Sequence, residues 1–381
     1  MRPEGGPEHI RDTIRVAFIL PGLHRVSRGA EIAFESVASE LSLIPGFAVT
    51  LIGSGTERPG SRYRFIHSPC TPRENFEHWP RFPPFRSEYS WEEATFVARI
   101  GRRYDPTAYD AIITCSYPFL NWYVRLRGLR SRRPLSVFVT QNGDWPVQAK
   151  NSEFRWFGCD GLICTNPVYY ERHKHGRSVW LVPNGVKPER FQDASPTRSA
   201  WGLQPSDLVV LIVSALVPNK RVIEGIRAIA PMKDVQLVIA GDGPLRQQVD
   251  SEGQALLGSR FERVTLPFDR MPSLYRSADV LLHMCQDEPS ALTYVEALAA
   301  GLPVVAHDWS STRWLFENEA ILVDTGDVAK VRAALSLAFE RRSPDDSARR
   351  ISLVNRRFTW KAIAEEYARC LESVVARSHG A

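Results

Sequence analysis

The chain has 381 residues, more than one hydrophobic core usually organises, so two domains are expected. Hydrophobic residues make up 44% and charged residues 24%, as in an ordinary globular protein, and the net charge of +5 suits anionic small ligands or a weak membrane-surface preference without demanding nucleic acid. No apolar run approaches the roughly 20 residues of a transmembrane helix, and MRPEGGPEHIRDTIRVAFIL is unlike a signal peptide, so a cytoplasmic location is expected, with contact at the inner face of a membrane left open.

In chain order, IRVAFIL (14–20) reads as a buried strand and PGLHRVSRG as a loop. AEIAFESVASELSLI (30–44) reads as a helix with apolar positions 32, 34, 37, 38, 41 and 44, and FAVTLIG (47–53) as a second strand. This strand–loop–helix–strand opening signals a parallel α/β sheet. Residues 59–90, rich in Pro, Arg and aromatics, read as a long irregular segment suited to shaping an acceptor pocket. Further strands are expected at 111–115, 135–140, 161–165 and 178–185. The Arg-rich segment 122–134, WYVRLRGLRSRRP, reads either as a solvated basic helix or loop, or as a contact for anionic lipid or a phosphorylated acceptor. His173 and His175 alternate on a charged stretch and are expected on a solvated face rather than at a metal. The six cysteines are scattered without a CxxC pair and read as reduced buried thiols.

A second βαβα series follows. Strands are expected at 207–216, 234–241, 263–268, 278–284 and 302–308, with helices at 222–232 and 271–278 and a turn and helix after GDGP. The last segment, FTWKAIAEEYARCLESVVAR (358–377), carries one apolar stripe and reads as a helix. Two doubly wound halves meeting near PNGVKPERF imply an α/β chain of two Rossmann-like domains facing a cleft, with ligands at the carboxyl ends of the strands. The expected domains are 1–188, 189–357 and a closing helix, 358–378.

DEPSALTYVEALAAGLPVVA (287–306) holds two acids eight residues apart. A helix over about 289–300 would place Pro289 in its first turn and leave the backbone N–H groups of Ser290, Ala291 and Leu292 free as an anion site. Glu288 and Glu296 would lie roughly 12 Å apart along the axis. That is enough for one acid to meet a sugar, the other a ribose, and the helix mouth a diphosphate. On spacing alone, an amphipathic helix with solvated glutamates reads equally well.

These motifs resemble the family-4 retaining glycosyltransferases of the GT-B fold, of the glycosyl transferase group 1 type. Glu288-x7-Glu296 followed by ALAAGLPVVA is similar to that family's paired acids and closing Gly-x-Pro run. RGAEIAFESVASEL (28–41), VPNGVKPERF (182–191), VSALVPNKR (213–221), AGDGP (240–244) and the FTWKAIAEEY helix are similar to its other elements, in order. The likeness is dense over 207–325 and thinner over 14–190. It implies two doubly wound Rossmann-like domains, with the last helix packed back on the first. It also implies roles residue by residue. Glu288 lies against the donor sugar. Ser290, Ala291 and Leu292 hold the diphosphate and sugar, with Thr293 beside them. Glu296 binds the ribose, and Lys220 binds phosphate from the strand-end loop 213–221, in which Ser214 also meets the donor. Pro267 and Phe268 read the base, and Gly29 lets the first domain approach the diphosphate.

The chain departs from the family pattern at two places. Ala215 stands where an Arg is common, leaving Arg221 to supply the second positive charge. Asn142 stands where many members carry a His, with Asp144 two places on. Asn142 is suited to hydrogen-bonding a sugar hydroxyl. Asp144 reads either as the group that orients or deprotonates an acceptor hydroxyl, or as a turn residue after Asn-Gly. The resemblance implies transfer from a UDP- or GDP-sugar to a hydroxyl of a glycan, lipid-linked or small-molecule acceptor, with no cofactor or metal. Lys220, Arg221 and the helix mouth would stabilise the leaving diphosphate. The competing reading is a nucleotide-sugar-binding protein with lost transfer. A sugar-nucleotide epimerase is disfavoured by the intact Glu pair, a nicotinamide dehydrogenase by the lack of GxGxxG, and RNA binding by the lack of an aromatic–Gly signature.

Overall fold

In the computed structural model, which describes residues 13–127, 133–148, 155–176, 178–288 and 292–379, the apolar runs become strands of two parallel sheets. The chain divides into two units, Met1–Pro183 with Trp360–Ala381, and Asn184–Thr359. The divisions read from sequence after 188 and 357 therefore shift to 183/184 and 359/360. Residues 184–188 stay with the second unit because Val186 N donates to Phe358 O at 2.7 Å, and Val186, Phe191 and Phe358 share one core.

The first unit has strands β1 (Ile14–Ile19), β2 (Phe47–Gly53), β3 (Arg64–His67), β4 (Ala111–Thr114), β5 (Leu135–Val139), β6 (Gly161–Cys164) and β7 (Ser178–Leu181), in the order β3-β2-β1-β4-β5-β6-β7. Every pairing is parallel. Val16, Ala17, Phe18 and Ile19 are fully buried, the signature of a strand covered on both faces. The segment expected to be irregular, 59–90, contains β3 and the start of helix Glu88–Ile100. β3 is a four-residue edge strand in which only Phe65 is buried, so it leaves almost no periodic signal.

Helix Trp360–His379 closes this unit. Its Ile363, Ala364, Tyr367 and Leu371 share a core with Phe34, Val37, Ala38 and Leu41 of helix Gly29–Leu41, and the Tyr367 ring stacks on Phe18 with centroids 6.4 Å apart. Burying such side chains contributes roughly 1.5–3 kcal/mol each. The stripe read from sequence is therefore the contact face.

The second unit has β8 (Leu208–Val213), β9 (Val235–Ala240), β10 (Phe261–Val264), β11 (Val280–Leu282), β12 (Val304–His307) and β13 (Ile321–Val323), in the order β10-β9-β8-β11-β12-β13, again all parallel. The strand expected at 263–268 ends earlier, at Val264, which leaves Pro267 and Phe268 in the loop beyond it. Pro267 has no N–H for the ladder. Helix Leu292–Ala299 stops at Gly301, whose φ of 76° suits a residue without Cβ. Leu302 N donates to Ala297 O at 2.9 Å and Gly301 N to Leu298 O at 3.0 Å, after which the chain enters β12. Among the described residues, no helix is long and apolar enough to cross a membrane.

Candidate functional site

Ligands of doubly wound sheets sit beyond the carboxyl ends of the strands, where the strand order reverses. In the second unit that point lies between β8 and β11. The loop after β8 carries Ser214, Lys220 and Arg221, and the segment after β11 carries His283, Cys285 and Glu288. The GDGP turn braces the first loop. A Cβ on Gly241 would lie 1.9 Å from Ser214 O, and Leu216 N donates to Asp242 O at 2.9 Å. The Asp242 carboxylate accepts from Gly243 N at 2.8 Å, a turn function. Ser214 Oγ donates to Ala215 O at 3.1 Å.

Lys220 Nζ donates to Glu288 Oε2, both side chains being mostly buried. His283 Nε2 lies 3.6 Å from the same oxygen. Burial alone favours the neutral acid, but His283 and Lys220 outweigh it and hold the Glu288 carboxyl at about 2. Glu288 is therefore a carboxylate at neutral pH, suited to accept hydrogen bonds from a sugar and unsuited to donate a proton. Arg221 takes the left-handed conformation, φ 53°, ahead of helix Val222–Ile229. Its Nε is 3.8 Å from Glu224, and its Nη1 is buried without a hydrogen-bond partner.

Glu296 has the opposite environment. Burial raises its pKa, against a 2.7 Å hydrogen bond from Tyr275 Oη and the charge of Arg190. Arg190 also donates to Phe268 O at 2.9 Å and stacks 3.9 Å over the Phe268 ring, which is half exposed. Pro267 O accepts from Arg270 N at 3.0 Å. Leu292 opens the described part of its helix, and Thr293 Oγ1 is buried without a partner. Ser290 and Ala291, with Pro289, lie outside the described residues.

In the first unit, Gly29 opens its helix, and a Cβ there would meet nothing within 4 Å. The glycine thus borders open space. Asn142 is exposed in the turn after β5. Its Nδ2 is 3.8 Å from Cys115 Sγ, and its carbonyl accepts from Trp145 Nε1 at 3.0 Å. Asp144 is buried and engaged, accepting from Gln148 Nε2 and from Arg172 Nη1 at 3.3 Å, with His173 Nε2 at 3.0 Å. His173 is therefore not on a solvated face as its charged neighbours suggested. Helix Pro167–His173 turns it onto Asp144, its side chain only 10% exposed. In the Arg-rich segment, Arg133 pairs with Asp160 through 2.9 and 2.8 Å bonds, and Arg125 donates to Trp156 O at 2.6 Å. Residues 128–132 lie outside the described residues.

Residues 193–353 match the family described as "Glycosyl transferases group 1". The second unit is a group 1 glycosyl transferase domain. The chain is 32% identical over 209 residues to a GDP-mannose-dependent alpha-mannosyltransferase of Mycolicibacterium smegmatis, a match covering 54% of this chain and 52% of the relative. The chain thus spans about half the length of that curated relative. Among solved structures, it resembles sucrose-phosphate synthase of Thermosynechococcus elongatus at 19% identity and a TM-score of 0.72, covering 96% of this chain and 100% of the other. It also resembles Anabaena HepE in complex with UDP-glucose at 17% and 0.69, covering 94% and 100%. The two Rossmann-like units are those of the GT-B fold.

Within this glycosyl transferase domain, sequence reading missed His283, Tyr275 and Arg190. Arg190 lies in VPNGVKPERF and Tyr275 on the helix expected over 271–278, but their partners are distant in sequence. Only the strand-end placement of His283, two residues before Cys285, was a usable signal.

Proposed function

We propose that the chain is a retaining glycosyltransferase that moves a sugar from a UDP- or GDP-sugar to a hydroxyl of a glycan, glycolipid or small natural product. The observation that carries this reading is the Lys220–Glu288 pair, on the two segments that follow β8 and β11 in the unit matched by the group 1 family. Glu288 accepts hydrogen bonds from the donor sugar and Glu296 from the ribose. Lys220 and Arg221 take the β-phosphate charge as the nucleoside diphosphate leaves. Such preorganised charge is commonly among the largest contributions to catalysis, and the reaction needs no metal. The departing phosphate takes the acceptor proton, which suits an Asp144 already committed to Arg172 and His173. Both nucleotides stay in the proposal, since one relative is GDP-mannose-dependent and one neighbour holds UDP-glucose.

On the acceptor side, ring contacts run in series through Trp79, Trp91, Phe85, Phe119, Trp122 and Tyr117 to Trp145, next to Asn142. This wall suits stacking on sugar rings or an apolar acceptor portion. Weak contact of segment 122–134 with a membrane surface belongs to the same proposal. The test is a thermal-shift and turnover screen of UDP- and GDP-sugars. Stabilisation by one nucleotide family, with transfer or slow hydrolysis of its sugar, is expected. Tight nucleotide binding with neither activity favours the binding-protein reading.

A further inference from the structure

His283 and Cys285 are 3% and 1% exposed, and their donor atoms and a Glu288 oxygen all lie within 4.8 Å of one another. His283 Nε2 makes no hydrogen bond although its ring is buried and faces Glu288. Cys285 Sγ donates to Asp287 Oδ1 at 3.1 Å, and Asp287 is exposed. A His-x-Cys-x2-Glu segment thus converges imidazole nitrogen, sulfur and carboxylate oxygen on one point. Tetrahedral zinc, with bonds of about 2.0–2.3 Å, needs donors roughly 3.3–3.8 Å apart. The His283–Glu288 separation of 3.6 Å already meets that, and the remaining separations require a contraction of about 1.5 Å at most. A set with sulfur and imidazole selects a thiophilic ion over Mg2+ or Ca2+, which take oxygen ligands. The Glu288 oxygen already holds one cation, the Lys220 ammonium.

We propose that His283, Cys285 and Glu288 form a binding site for a thiophilic divalent cation, best fitted by Zn2+, which competes with Lys220 for Glu288 and thereby shuts off donor binding. Coordination releases the Cys285 thiol proton to solvent, and the ion takes the thiolate. The fourth position is filled by water or by Asp287. Without its Glu288 contact Lys220 is no longer held at the switch point, where it is proposed to meet the donor phosphate, so the inhibitory consequence rests on the function proposed above. The metal site itself does not.

The metal-free full chain is titrated with Co2+, whose thiolate charge-transfer band and tetrahedral visible bands report the ligands directly. One equivalent is expected to give both. Cys285→Ser removes the charge-transfer band, His283→Ala weakens binding at least tenfold, and Lys220→Ala tightens it by removing the competing ammonium. Circular dichroism checks that each variant is folded. Absence of the bands, or bands that survive in folded Cys285→Ser, overturns the site. Calorimetry with UDP and GDP then tests the consequence. Zn2+ weakens nucleotide binding at least tenfold in the native chain and not in Cys285→Ser. Bands without that weakening overturn the inhibition. If neither nucleotide binds the metal-free chain, the glycosyltransferase reading fails, while the cobalt spectrum still decides the site.

Discussion

Glu93 lies fully buried on helix Glu88–Ile100, where its Oε1 accepts from Leu120 N at 2.8 Å and caps helix Phe119–Arg127, while Oε2 has no partner. Burial pushes its carboxyl up to about 8, against the backbone hydrogen bonds from Leu120 and Phe119. At pH 7 the folded chain therefore holds Glu93 as a neutral acid, whereas the unfolded chain ionises it near 4.5. A raised carboxyl pKa contributes stability fully present below 4.5 and lost as pH rises toward 8, because the folded state alone retains the proton. At 1.36 kcal/mol per unit, the loss is about 3–4 kcal/mol between pH 5 and 8. Glu93→Gln keeps the carbonyl acceptor for Leu120 N and cannot ionise. Urea unfolding of both proteins at pH 5, 6, 7 and 8, followed by circular dichroism, should show the variant gaining on the native chain by that amount across the series. A difference constant within about 0.5 kcal/mol would refute a buried neutral acid, since no proton would then be linked to folding.

Glu288→Gln should lower turnover tenfold or more with nucleotide affinity within threefold. It should also cost about 2–3 kcal/mol of stability at pH 7, an advantage that in the native chain fades as pH falls from 4.5 toward 2; near-normal turnover removes Glu288 from the site. Lys220→Ala should raise the donor KM at least tenfold and leave the acceptor KM unchanged; an effect confined to acceptor kinetics ends its phosphate role. Tyr275→Phe removes the hydrogen bond that opposes burial at Glu296. Nucleotide affinity, read by calorimetry, should then fall more steeply than in the native chain as the pH is lowered, and parallel profiles count against a ribose-binding carboxylate. Asp144→Asn should cost about 1–3 kcal/mol through its Arg172 and His173 partners while kcat stays within threefold; a hundredfold loss with unchanged Tm makes Asp144 a base.

Much of this architecture was legible because parallel strands buried on both faces leave uninterrupted apolar runs. FAVTLIG and LVVLIV announce β2 and β8 without help from neighbours. β3 is edge-bound and half exposed, so its sequence carries no such mark. The same contrast governs the site. Lys220, Glu288 and Glu296 stood out because their motifs are local. Arg190, Tyr275 and His173 did not, because their roles come from partners many positions away: Arg190 from Phe268, Tyr275 from Glu296, and His173 from Asp144.

Residue type and spacing also left undetermined the charge each acid carries. Glu288 and Glu296 are alike in sequence, yet an ammonium and an imidazole press one far down while burial lifts the other. In the proposed function that difference divides their work. Glu288 stays ionised and already neutralises Lys220, so an arriving phosphate would share the lysine with it rather than meet a bare cation. The lysine would thereby be held at the switch point before the donor binds, leaving little rearrangement for the step in which charge develops on the phosphate. At Glu296 burial works against the charged form, and a hydroxyl donor supports it. Tyr275 supplies one in the free chain, and the ribose would supply the others.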